Sequence, residues 1–306
     1  MTIWIDAVCI DQANDEERSQ QVRAMPSIYS SAHTVITWLG CADSNVTKLF
    51  HFLNDGDDQG SSTQTKPLRA YPGYIPIARL RDTMWAPSTE SEKIATMMLK
   101  DHFSQFCALE YWSRLWIVPE ALLASQSILM HANQTLPLAI MQEFVHFAYD
   151  DFGMNRRNNK TIHDIFGKEK TFHWVCVTKY DRNGEAGDHM LNSLPQLLNR
   201  YGRLQCTDVR DRVFALLAIS ISSDSLKAHI NYKTSAEELF ATLLSDKGYN
   251  TVYDKFELAL GLFECLELKS RSEPAEGMLI KGLAVAKTPR LSPSMRKSFV
   301  ARTRSE

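Results

Sequence analysis

The chain has 306 residues, 44% of them hydrophobic and 23% charged, enough to bury the core of one large domain or two ordinary ones. Its 34 basic and 36 acidic residues leave a net charge of -2, which excludes an overall electrostatic design for nucleic acid or an anionic membrane. No stretch reaches the roughly 18 to 20 apolar residues of a membrane span, Met1 to Asp6 lack the basic n-region and cleavage site of a secretory leader, and the six cysteines form no C-x-x-C pair; the expectation is a non-secreted, cytoplasmic protein with reduced thiols and no metal site.

Ile3, Ile5, Ala7 and Cys9 alternate with Trp4 and Asp6, so the first nine residues are expected as a short, mostly buried strand. Asn14 can cap a helix that starts near Asp15, with Glu17 completing a capping box. Val22, Met25, Ile28, Tyr29 and Ala32 follow at helical spacing, and Pro26 predicts a kink rather than an end. His33 to Gly40 is expected as the next strand, with β-branched Thr34 and Thr37 and apolar Val35, Ile36, Trp38 and Leu39. Strand, helix, strand predicts a βαβ unit with parallel pairing, hence an α/β fold.

The polar run from Asn54 to Pro67, NDGDDQGSSTQTKP, is expected as a surface insertion. Glu90 to Phe106 reads as a helix, Ala108 to Ala124 as a second, apolar one with Pro119 and Glu120 inside it, and Ser127 to Ala132 as a third strand. Beyond Gln134 the pattern turns helical, in MQEFVHFAYDDF, Leu191 to Tyr201, Val209 to Ile219 and Ser235 to Ser245. Asn155 to Lys170 is a basic, polar link, and Gly277 to Lys287 suits a hairpin strand. The segment Lys269 to Glu306 holds nine Lys/Arg against three Glu and ends in a Ser/Pro/Arg-rich tail expected to be disordered.

Three blocks carry a resemblance. The first is Trp4-Ile5-Asp6-Ala7-Val8-Cys9-Ile10-Asp11-Gln12 with Glu17-Arg18, Gln21-Val22, Met25, Ile28-Tyr29 and Ala32. The second is Trp112 with Arg114-Leu115-Trp116-Ile117-Val118-Pro119-Glu120 and Ala124, and the third is Thr207 to Leu217, TDVRDRVFALL. In this order they resemble the fungal heterokaryon incompatibility (HET) family, with Asp11 where the family usually has Asn and Pro119 where it usually has Gln.

The resemblance implies an incomplete TIR-like parallel sheet with flanking helices, followed by a mainly α-helical region. Residues 1–135 are then a partial HET domain, 136–250 the helical region, and 251–306 a C-terminal segment with short strands and the basic tail. The family's opening strand has no counterpart here, so a segment upstream of Met1 is expected to be missing. The implied function is a signalling module of fungal self/non-self recognition and regulated cell death, acting through other proteins of that pathway or through self-association, with no nucleic-acid partner and no required cofactor.

In TIR enzymes that cleave NAD, a Glu follows a Trp by four residues, and Trp116 and Glu120 share that spacing. On one helix face, Glu120 would be the catalytic carboxylate and Trp116 a ligand contact, with NAD as substrate; the alternative is a core Trp116 and a paired surface carboxylate. Asp6 and Asp11, with Gln12 beside them, are further ligand-binding candidates at the carboxyl edge of an open sheet. The alternative is that Asp6 orders the loop and Asp11 caps a turn. Cys9 reads as a packed thiol, and His33, His102 and His131 lack metal-ligand spacing. Arg210, Asp211 and Arg212 read either as a solvated helix face or as an ion network.

Overall fold

The computed structural model describes residues 2–41, 43–54, 90–142, 144, 193–220, 224–246 and 252–268. The run following Asn54, the 155–170 link, the 277–287 strand and the tail from 269 onward lie outside them. The elements are α1 (Asp6–Cys9), α2 (Asp15–Ser31), β1 (Val35–Trp38), α3 (Ser44–Asn54), α4 (Glu90–Cys107), a 3-10 turn (Glu110–Ser113), α5 (Ile117–Leu123), β2 (Ser127–His131) and β3 (Gln134–Pro137). These are followed by α6 (Leu194–Tyr201), α7 (Asp211–Leu217), α8 (Asp224–Lys227), α9 (Ala236–Ser245) and α10 (Val252–Cys265). The chain divides into two compact units: Met1–Ser30 with Arg114–Pro119 and Asp188–Glu306, and Ser31–Ser113 with Glu120–Gly187.

The second unit carries a three-stranded sheet in the order β1-β2-β3. β1 pairs in parallel with β2, Val35 opposite Ser127 and Trp38 opposite Met130, and β2 pairs antiparallel with β3. The sheet is therefore mixed. The parallel pair joins residues far apart in sequence, as the crossover rule requires, and β3 is a short antiparallel addition that the helical reading beyond Gln134 did not anticipate.

α3 packs against α4 and β3. Its Val46, Leu49, Phe50 and Leu53 are fully buried at the i, i+3, i+4, i+7 spacing of one helix face. Asp43 starts this helix, its Oδ1 accepting the backbone N–H of Asn45 at 2.7 Å and of Val46 at 3.2 Å. Phe50, Phe103, Phe106, Trp112 and Phe144 form the aromatic part of this core, with ring centres 5.1 to 6.3 Å apart.

The first unit is helical. α6 buries Leu194, Leu197, Leu198 and Tyr201 against α7 and α10, and α9 packs on α10. A capping box starts α9, the Ser235 hydroxyl accepting the Glu238 N–H and the Glu238 carboxylate the Ser235 N–H. α10 has no counterpart among the expected elements.

Three expectations are corrected. Residues 6–9 form one helical turn, not a strand, and Ile3, Ile5 and Val8 are 64%, 51% and 78% exposed. Alternation alone supplies no ladder partner, and the backbone is satisfied locally by Cys9 N–H to Ile5 O at 2.8 Å and Ile10 N–H to Asp6 O at 3.1 Å. The expected βαβ unit at the N-terminus is thus absent. The continuous helix Ala108 to Ala124 is broken, because Arg114 bridges to Gln205 and the Leu115 N–H bonds to Gln205 O at 2.9 Å, taking the chain out of helical pairing between the 3-10 turn and α5. The helix starting at Asp15, by contrast, runs through Pro26 to Ser31.

Candidate functional site

Around Glu120 the second unit brings in Tyr111 and, through it, Thr37. Glu120 is half-buried on α5. The Tyr111 hydroxyl, on the 3-10 turn, donates to its Oε2 at 3.0 Å and lies 3.3 Å from the Thr37 Oγ1. Thr37 is buried one residue before the end of β1. The carboxylate therefore sits near the carboxyl end of the parallel strand, the edge at which open α/β sheets bind ligands. Tyr111 and Thr37 were not identifiable from the sequence, because only the tertiary fold brings β1 to the 3-10 turn.

Trp116 stands immediately before α5, which begins at Ile117. Its indole N–H points to Asp211 Oδ2, 3.4 Å away, within the first unit. Asp6, Asp11 and Gln12 belong to the first unit. Asp6 Oδ1 accepts the Ala7 N–H at 2.7 Å. Asp11 makes a turn, its Oδ1 accepting the Ala13 N–H at 3.0 Å, while its own N–H donates to Glu17 at 3.1 Å. Asn14 caps α2 by accepting the N–H groups of Glu16 and Glu17. The Glu17 carboxylate thus reaches past the cap to Asp11. Gln12 is exposed.

A dense polar cluster among the described residues centres on Asp211, which is 4% exposed, so the solvated-face reading of Arg210 to Arg212 is replaced by an ion network. Arg18 from α2 contacts Asp211 Oδ2 at 3.1 Å and Asp208 Oδ2 at 3.3 Å. Its guanidinium lies 3.6 Å from the Tyr232 ring centre. The Tyr232 hydroxyl donates to Asp211 Oδ1. Arg210 grips Asp208 through Nε at 2.9 Å and Nη2 at 2.7 Å, and donates from Nη1 to the carbonyls of Tyr232 and Thr234 at 2.6 and 2.8 Å. Arg212 points elsewhere, to Glu267 at 2.7 Å and to the Cys265 carbonyl at 3.0 Å.

The two carboxylates differ in electrostatics. Burial raises the Asp211 pKa above the ordinary carboxylate value, outweighing the Tyr232 hydrogen bond and the Arg18 charge. Burial pushes Asp208 the same way, but the Arg210 hydrogen bonds and the charges of Arg210 and Arg18 prevail and hold it low. Burial, then the Asp211 charge and hydrogen bond, push the Tyr232 hydroxyl up. Burial also raises the Cys206 thiol, which makes it a poor nucleophile. Among the described residues no group of three or more His, Cys, Asp or Glu is placed to hold a metal ion, and no helix is long and apolar enough to cross a membrane.

Residues 1–120 match the family model described as heterokaryon incompatibility protein (HET). The chain is 30% identical over 263 residues to heterokaryon incompatibility protein 6, OR allele, of Neurospora crassa, an alignment covering 77% of this chain and 37% of that relative. The chain thus spans little more than a third of the curated relative it matches. No solved structure matches it. Together, the family match and the relative place residues 1–120 of this chain in the HET family.

Proposed function

We propose that this chain is part of a signalling module of fungal self/non-self recognition, which commits mixed cells to an incompatibility or death response through association with other proteins. The observation that carries the reading is the joint match of residues 1–120 to the HET family and of 263 residues to a heterokaryon incompatibility protein. The gene expressed at matched levels in one of two otherwise compatible fungal strains should reduce the recovery of viable mixed cells. Recovery equal to that of the empty-vector control would refute the proposal.

A second reading is supported by the position of Glu120 at the carboxyl end of β1, beside Tyr111. In it the sheet is a TIR-like remnant and NAD is a substrate. The bond between nicotinamide and ribose breaks, Glu120 stabilises the positive charge that develops on the ribose, and water adds to give nicotinamide and ADP-ribose. NAD consumption by the purified chain that Glu120→Gln abolishes would support it; no turnover, or turnover unchanged in the variant, would sink it.

A further inference from the structure

Helix α2 is held by residues from two stretches, 208–211 and 230–233, through a short series of side chains. Arg18 bridges Asp208 and Asp211 and stacks on Tyr232. The next residue, Ser19, is buried; its hydroxyl accepts the Tyr232 N–H at 2.9 Å and donates to Asp15 O at 2.5 Å. One turn on, Arg23 donates from Nε to Ile230 O at 2.9 Å. At the helix start, exposed Lys233 and Glu16 pair at 2.9 Å.

The grip has an uneven energy distribution. The Lys233–Glu16 pair is solvated and worth little. Arg18 is not, since its removal leaves Asp208 and Asp211 close together in a part-buried site with a cation withdrawn, and buried charges stripped of a partner are costly. Lysine is no substitute, because a point charge cannot fork between two carboxylates while lying flat on an aromatic ring. The downstream half is tied into the same cluster, as Arg210 links Asp208 to the carbonyls of Tyr232 and Thr234. Without Arg18, Asp208 keeps Arg210 and Asp211 keeps the Tyr232 hydroxyl, each carboxylate losing one cationic partner and α2 its contact to both.

We propose that residues 208–211 and 230–234 together form a latch on α2, keyed by Arg18, that opens and closes as one cooperative unit. α2 lies inside the HET-matched region and the latch outside it. The state of this helix is therefore governed by sequence that the family match does not include.

The test is hydrogen exchange on the full chain. Arg18→Lys should lower protection at least tenfold in peptides from α2 and, together with them, in peptides from 208–217 and 230–240, with β1, β2 and β3 unchanged. Lys233→Ala should change the same peptides less than about twofold. Loss confined to α2, or equal behaviour of the two variants, overturns the latch. If Arg18→Lys unfolds the whole chain, Tyr232→Phe decides. Removing only the hydroxyl that donates to Asp211 should give the same paired loss at smaller size, and an unpaired loss or none refutes the proposal.

Discussion

Gly202 ends α6 with its N–H bonded to the Leu198 carbonyl at 2.8 Å. The Cys265 thiol, at the end of α10, points to the same carbonyl from 3.9 Å. A Cβ built on Gly202 would lie 2.1 Å from Cys265 Sγ and 2.5 Å from Leu198 O. Both lie far inside the roughly 3.5 Å of ordinary contact. The backbone conformation there is ordinary right-handed helical, so the glycine is required by space and not by φ. On propensity alone Gly202→Ala would gain up to about 1 kcal/mol; overpacking a site with a backbone atom in the way costs about 1–3 kcal/mol. The clash wins, and the expected net loss is about 1 kcal/mol. In urea that moves the unfolding midpoint down by about 0.5 M, read by far-ultraviolet circular dichroism. The double variant Gly202→Ala/Cys265→Ala should recover part of the loss, because the thiol contact is relieved and the carbonyl contact is not. A neutral or stabilising Gly202→Ala would refute the close approach of α6 and α10.

Burial pushes the Cys265 thiol from 9.0 up to about 12. A raised folded-state pKa contributes stability that is present below pH 9 and lost as pH rises toward 12, since the unfolded chain ionises its thiol and the folded one does not. The wild-type chain should therefore lose stability across that window more steeply than Cys265→Ala, in denaturant midpoints taken at one-unit pH intervals; parallel curves would refute the burial. Ser235→Ala removes one arm of the α9 capping box and should cost about 0.5–2 kcal/mol, whereas an unchanged midpoint would mean that the cap contributes nothing to α9.

Local signals made much of the architecture legible. Asn14 announces α2, the Leu194, Leu197, Leu198 and Tyr201 spacing announces α6, and the apolar runs around Val35 and Ser127 announce the two strands that pair in parallel. The illegible parts are those decided by distant partners. The alternation at Ile3 and Ile5 has the look of a strand, yet alternation cannot say whether a ladder exists to receive it. The apolar run from Ala108 to Ala124 reads as one helix, and the bridge from Arg114 to Gln205 interrupts it from 91 positions away (205 - 114). Tyr111 reaches Glu120 and Thr37 only once the sheet exists.

The three sequence blocks have a physical relation that spacing along the chain conceals. Arg18 stands in the first block, Trp116 in the second and Asp211 in the third, and the first two each bring a donor to the carboxylate of the last. An acidic group that is 4% exposed and shifted toward its neutral form is tolerated only with such partners supplied. Loss of the Arg18 charge, of the Trp116 indole or of the Tyr232 hydroxyl therefore acts on one buried group. The three blocks are better understood as contributors to one junction than as three separate sites.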